Sequence, residues 1–386
     1  MTDRAYLDHA ATTPLRPEAR EVLVALLDEE AGNPSGTHRA ARTARRVVDE
    51  ARDVVAAALG CRPGEVVFTS GGTESDNLAV AGVHAAQPGV VVCSAIEHHA
   101  VLDPVEALGG RVVGVDARGR VDLDALAASL DGSVVLVSVM LANNEIGVVQ
   151  DLAAVAAVVQ EHAPGAVVHT DAVQAFPWLD VAELAAPAHL VSISAHKFGG
   201  PQGVGALVVR TGTPLTPLQR GGGQERGRRS GTQNVAGIGA MAAAAAATLR
   251  DRDEVVHRVA RLRDRLGDAL TARLDGVTET AVPLDADGRP DRSGKVAGSC
   301  HVCIDGVENE ALLFLLDQQG VAASAASSCA SGAMDPSHVL AALGVPRERA
   351  QGSLRLTLGP TTTEAEVDHA VEVVVRAVER LRGHRR

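Results

Sequence analysis

Between residues 50 and 210 the chain alternates between short, almost unbroken apolar runs and longer stretches in which apolar positions recur every three or four residues. The short runs are EVVFTS (65–70), GVVVCS (89–94), VVLVSVM (134–140), AVVHTD (166–171), LVSISA (190–195) and GALVVR (205–210). Valine and isoleucine dominate them, as expected of strands. They lack a polar face, which predicts strands buried on both sides, as in a parallel sheet. DLAAVAAVVQEHA (151–163) has the helical period instead and reads as a helix between two such strands. The predicted fold is therefore α/β, a mostly parallel sheet covered on both faces. In such sheets ligands gather at the carboxyl ends of the strands. That is where the polar runs SGGTES, AIEHH, ANNEIG, DAVQ and AHKFGG fall.

Beyond this region the pattern changes. Residues 211–234 are rich in Gly and Arg and read as a loop. A long helix is predicted over about 235–275, followed by a looser segment, PLDADGRPDRSGK. The last hundred residues read as a smaller α+β lobe. No internal repeat is present. The expected division is a large unit of 15–255 and a small unit made of 1–14 with 256–386.

Composition narrows the function classes. Of 386 residues, 46% are hydrophobic but only 2% are aromatic, so the core must be built from Ala, Val and Leu. The net charge of −12 disfavours nucleic acid and anionic membrane as partners. The N-terminal stretch MTDRAYLDHAATTP lacks the apolar run of a signal peptide, and no run reaches the roughly 20 apolar residues of a membrane helix. The expectation is a cytoplasmic protein. Five cysteines at scattered spacing argue against a disulfide framework. Cys300 and Cys303 form a CxxC match, open to a redox or metal reading. The run GSCHVCIDG alternates like a strand, however, which puts residues three apart on opposite faces, and no second CxxC completes a zinc site. No metal is expected.

The polar runs carry the candidate chemistry. SAHKFGG ends a strand with Ser194, His196 and Lys197. The lysine is either a solvated strand end or an amine held in a dry site, where it can form a Schiff base. HTDAVQ contributes Asp171 and Gln174; the acid is either a helix cap or the partner of a cationic ring nitrogen. Together they suggest pyridoxal phosphate, which needs a lysine for its aldehyde and an acid for its pyridine nitrogen. FTSGGTES adds Gly71, Gly72 and Thr73 between a strand and a helix start, a place suited to an anion. His98 and His99 lie in AIEHH, and Asn143 and Asn144 in ANNEIG. A histidine there can stack on a ring and move protons near neutral pH, and an amide can orient a ring hydroxyl. Each also reads as ordinary loop hydrogen bonding. ASAASSCASGAMDP (323–336) centres Cys329 among small residues, either a core filler or a reachable thiol.

In order and spacing, YLDHAATTP, GNPSGTH, FTSGGTESDNLA, EHHAVLDP, VSVMLANNEIG, HTDAVQ, SAHKFGGPQGVGAL, GGGQERGRRSGT, SSCASG, PSHVL and GSLRLTLG resemble the cysteine desulfurases, pyridoxal phosphate enzymes of the class V aminotransferase group. The resemblance implies a fold type I pyridoxal-phosphate-dependent transferase that works as a homodimer with sites at the subunit interface. It implies conversion of L-cysteine to L-alanine, with the sulfur taken up as a persulfide on Cys329 and passed to an acceptor protein. By the same resemblance Lys197 is the Schiff-base lysine, Asp171 holds the pyridine nitrogen, and Gln174 and Asn144 the ring hydroxyl region. His98 stacks on the ring and transfers protons. Gly72, Thr73, Ser194 and His196 hold the phosphate, and Thr232 reaches the partner subunit's phosphate. Arg355, helped by Asn33, grips the substrate carboxylate.

The run before Cys329 has Ala326 where the family pattern has Gly, which restricts φ in a loop of the long, mobile subgroup. Selenocysteine lyase, another class V enzyme, or a non-catalytic sulfur-relay scaffold are the competing readings. The acceptor is open among iron–sulfur cluster assembly, tRNA thiolation, DNA sulfur modification and natural-product sulfur incorporation.

Overall fold

The computed structural model describes residues 4–29, 32–325 and 337–383. Its strands are β1 (Ala5–Tyr6), β2 (Val66–Thr69), β3 (Val90–Ser94), β4 (Arg111–Val113), β5 (Val134–Ser138), β6 (Val167–Asp171), β7 (Leu190–Ser194), β8 (Gly205–Val209), β9 (Val277–Glu279), β10 (Ser299–Ile304), β11 (Val321–Ala322) and β12 (Ser353–Thr357). Seven of them form one sheet in the order β2-β8-β7-β6-β5-β3-β4. Pairing is parallel from β7 through β4, while β8 runs antiparallel to both of its neighbours. The β-rich runs of the sequence thus become the buried strands expected of them. The short β4 was not among them, because RVV carries too few apolar residues to stand out.

One face of this sheet packs against helices Arg39–Ala58 and Leu152–His162 and the first half of the helix Val235–Arg273, the other against Gly72–Ala86 and His99–Ala107. A separate apolar cluster joins the second half of the helix Val235–Arg273 to β10, β12, Asn309–Gln318 and Glu364–Gly383. There β9, β10 and β12 form an antiparallel three-stranded sheet. Cys300 and Cys303 both lie in β10, on opposite faces, each in a different apolar cluster. Burial pushes both thiols up, Cys300 to about 12. Neither is poised to react. Among the described residues no group of three or more His, Cys, Asp or Glu could hold a metal ion, and no helix is long and apolar enough to cross a membrane.

Two contacts fix the loops around the sheet's carboxyl edge. Phe176, two residues past Gln174, packs against Phe198, the residue after Lys197, with ring centroids 4.5 Å apart. In a chain so poor in aromatics, this pair locks the turns after β6 and β7 together. The Arg-rich loop is held by a buried fork. Arg52 donates to both carboxylate oxygens of Glu225 at 2.8 Å, and Phe68 N–H donates to the same carboxylate at 2.9 Å. Glu225 and Arg226 adopt φ of 48° and 57°, a strained conformation for side-chain-bearing residues that persists because the ion pair fixes it. Removing one partner of such a pair leaves a buried charge unmet. Glu225→Ala is therefore expected to cost about 3–5 kcal/mol, read as a lower urea midpoint at unchanged slope; a wild-type midpoint would show that the fork contributes nothing.

Candidate active site

The turns leaving β2, β3, β5, β6 and β7 converge on one cavity of about 320 Å³. That falls within the roughly 300–1,000 Å³ of small-molecule sites. Its lining includes Gly72, Thr73, Asp76, His98, Asn144, Asp171, Gln174, Ser194, His196, Lys197 and Arg355. The side chains proposed from scattered motifs thus meet in one place, as the parallel sheet requires.

At one end the helix Gly72–Ala86 begins. Its N-cap, Gly71, has φ of 153°, open to glycine, and no side chain caps the helix. A Cβ on Gly72 would come within 3.0 Å of Val173 Cγ2. The helix start therefore presents backbone N–H groups and its positive dipole end to the cavity. The Thr73, Ser194 and His196 side chains line the same cavity. His196 accepts or donates at Nδ1 with Thr12 Oγ1 at 3.2 Å, and burial lowers its pKa to about 4, so the imidazole is neutral.

Asp171, the last residue of β6, is buried. Val173 N–H donates to its Oδ1 at 2.8 Å. Burial pushes the carboxyl up to about 6, against that hydrogen bond and the Lys197 cation. Beside it Asp76, also buried, is pushed well above the carboxylate range by burial and then by the Asp171 charge. Among the described residues Asp76 Oδ1 has no hydrogen-bond partner, and His169 Nε2 lies 3.6 Å from it. Behind both lies His169, whose ring nitrogens bond Ser138 Oγ at 2.8 Å and Ser192 Oγ at 3.0 Å; burial lowers it to about 3.

Lys197 follows β7. Its ammonium donates to the carbonyls of Ala10 at 2.5 Å and Ala11 at 2.9 Å, so the N-terminal segment forms one wall. Gln174 Nε2 donates to the same Ala10 carbonyl at 2.7 Å. His98 caps the helix His99–Ala107 by accepting from Ala100 N–H at Nδ1, 3.0 Å. That assigns its proton to Nε2 when neutral. Burial first, then the Lys197 charge, lowers its pKa. Arg355, on β12, donates from Nη2 to Asp8 Oδ1 at 3.0 Å and from Nη1 to the Asn144 carbonyl at 3.1 Å; among the described residues its Nε–H has no partner.

These residues fit pyridoxal phosphate. Hydroxyls and helix N–H groups stand at one end for a phosphate. The buried Asp171 carboxyl lines the same cavity, where a cationic ring nitrogen would meet it. The Lys197 amine lines the cavity with them.

Not every expected residue arrives here. Asn33 is exposed, outside the cavity lining, its Oδ1 accepting from Ser35 N–H at 3.0 Å. Thr232 is exposed and outside the lining as well. Asn143 does not face the cavity as a ring-orienting amide: its Oδ1 accepts from Glu145 and Ile146 N–H and its Nδ2 donates to Ile96 O, so it ties its own turn. His99 points to solvent and bonds Asp103. Cys329 and Ala326 lie outside the described residues. Sequence reasoning missed Asp8, Asp76 and Glu145. The available signal for Asp76 was an acid on the otherwise apolar buried side of a helix, three residues after Thr73.

The family profile described as Aminotransferase class-V matches residues 5–370. An IscS-like cysteine desulfurase of Mycobacterium tuberculosis is 44% identical, covering 98% of this chain and 97% of its own. A cysteine desulfurase IscS of Dictyoglomus turgidum is 40% identical, with 99% and 96% covered. A solved NifS-like protein superposes with a TM-score of 0.89 at 34% identity, covering 98% of this chain and all of its own. The chain belongs to the class-V aminotransferase family and, within it, to the pyridoxal-phosphate-dependent cysteine desulfurases.

Proposed function

We propose that this cysteine desulfurase takes L-cysteine to L-alanine with Lys197 as its base, Arg355 as its carboxylate anchor and Cys329 as its sulfur acceptor. The observation that carries the reading is the meeting of Lys197, Asp171, His98 and Arg355 on one cavity. When bound there, pyridoxal phosphate supplies an aldehyde that condenses with amines and a protonated ring that withdraws electrons, making the substrate's Cα acidic and its sulfur open to attack.

In this reading Gly72, Thr73, Ser194 and His196 hold the phosphate, and Asp171 holds the ring nitrogen in its protonated form. Asn144 and Gln174 orient the ring hydroxyl region. Lys197, tethered to the Ala10 and Ala11 carbonyls, stays within reach of the substrate once released and removes the Cα proton. Arg355 holds the substrate carboxylate through its planar fork, in competition with Asp8. His98, with its proton on Nε2, hands protons on at the cavity wall. The Cys329 thiolate attacks the substrate sulfur. The new S–S bond forms as the Cβ–S bond breaks, its electron pair stays with carbon, and that carbon takes up a proton to become the methyl group of alanine. Cys329 is left as a persulfide, which an acceptor thiol removes.

The exposed position of Thr232 is compatible with service to a second subunit, so the working form proposed is a cytoplasmic homodimer, with Asn33 joining the carboxylate only when substrate is bound. The division into 15–255 and 1–14 with 256–386 is likewise a proposal, supported by the two apolar clusters that share the helix Val235–Arg273.

Lys197→Ala should lose the visible absorption band of the bound cofactor; a band unchanged from wild type would remove Lys197 from its role. After incubation with cysteine, mass spectrometry should find one added sulfur on Cys329. Cys329→Ser should bind cofactor and cysteine yet form no alanine, and normal turnover by that variant would defeat the persulfide assignment. A last expectation concerns the cofactor-free protein. Because the folded Asp171 carboxyl holds its proton up to about 6, its contribution to stability should fall as pH rises from about 4 to 6. The span is at most about 3 kcal/mol. Asp171→Asn should flatten that slope in pH-dependent denaturation; an identical slope would show that Asp171 does not titrate in this range.

A further inference from the structure

The chain on either side of residues 326–336 is fastened beside the cavity, at two points that meet on one turn. On the N-terminal side Ser324 pairs by backbone with Arg355: Arg355 N–H donates to Ser324 O at 2.7 Å and Ser324 N–H to Arg355 O at 3.2 Å. Ser353 Oγ donates to Ala325 O at 3.1 Å. On the C-terminal side Ser337 Oγ donates to the Glu145 carboxylate and accepts from Val339 N–H at 3.1 Å, capping the short helix His338–Ala342. His338 Nε2–H donates to Glu97 O at 2.9 Å, and its ring lies 4.8 Å from that of His99. Val339 and Leu340 are buried with Ile96, Met140 and Ile146.

Glu145 is the unusual member. It is 5% exposed, and the hydroxyl of Ser337 is the donor its carboxylate meets. A serine cap needs no acid behind it, and sealing a carboxyl from water to fasten a five-residue helix is costly. Its neighbour supplies the reason. Asn144 gives its carbonyl to Arg355. Two adjacent residues of one turn thus hold the arginine on one side and the chain just beyond the cysteine segment on the other.

We propose that Glu145 and Ser337 are positioning residues for sulfur transfer, tying the C-terminal root of the Cys329 segment to the turn that holds Arg355. The thiol's approach is thereby registered to the site where the substrate carboxylate is held. The proposal rests on the reading of Cys329 as sulfur acceptor and Arg355 as carboxylate anchor. Misplacement of a reacting group by about 1 Å can cost on the order of 100-fold in rate, so a tie of this kind acts on the transfer step and not on binding.

The decisive variant is Glu145→Leu in the holoenzyme, which leaves Ser337 free to cap its helix. Single-turnover alanine formation and sulfur loading of Cys329, followed by mass spectrometry, should both slow on the order of 10-fold. The KM for cysteine and the cofactor absorption band should stay within twofold of wild type. Ser337→Ala should behave alike, and Glu145→Gln, which keeps an acceptor oxygen, should recover most of the rate. Wild-type transfer by Glu145→Leu would overturn the proposal, as would a loss of rate matched by loss of bound cofactor. Failure of the underlying reading looks different: the wild-type enzyme itself would then load sulfur elsewhere than on Cys329.

Discussion

A carboxyl group sealed from water at the end of a parallel strand is the constraint around which this molecule is arranged. Asp171 has a backbone donor in Val173 N–H and the charge of Lys197 in its favour, and burial outweighs both. Left alone the site favours holding a proton, which is the state least useful for keeping a ring nitrogen cationic. A cationic ligand reverses the balance, since two opposite charges in a poorly solvated cavity attract far more strongly than in water. The selectivity of the site follows: a ligand with a positive centre at that depth and an anion at the Gly72 helix start meets both ends of the cavity. The neutral histidines around it, His98, His169 and His196, add no competing cation.

The sheet converts that local chemistry into a site. Parallel strands deliver their following turns to one edge, so residues separated by more than a hundred positions in sequence, from Thr73 to Lys197, become neighbours without any local sequence signal. Packing of Phe176 on Phe198 then couples the turn that carries the acid to the turn that carries the amine. The N-terminal segment forms one wall of the cavity, where the carbonyls of Ala10 and Ala11 accept from the Lys197 amine.

Much of this was legible beforehand, for reasons that can be named. The buried strands announce themselves because a sheet covered on both faces leaves no polar alternation, and the turns after them because polar runs interrupt an apolar chain. What escaped were groups whose role depends on who stands opposite. Asn143 and Asn144 are adjacent and chemically identical, yet one is spent on its own turn and the other lines the cavity, a distinction only the backbone path makes. Asp8 and Glu145 carry no motif of their own; each acquires meaning from a partner more than 190 residues away. Asn33 and Thr232 show the reverse, residues with a clear motif that a single chain does not bring to the cavity. The antiparallel β8 was hidden because an apolar run does not encode its direction.

The helix Val235–Arg273 runs through both apolar clusters without a break, 39 residues long. At about 1.5 Å per residue it is a rod of close to 60 Å, with its first half in the core beneath the sheet and its second half in the core beneath β10 and β12. Rocking one core against the other would mean bending an uninterrupted helix, and it contains no proline at which to do so. The molecule is thus built like two rooms on a common beam. A helix shared by both cores couples them, so a shift in one is felt by the other at their shared wall.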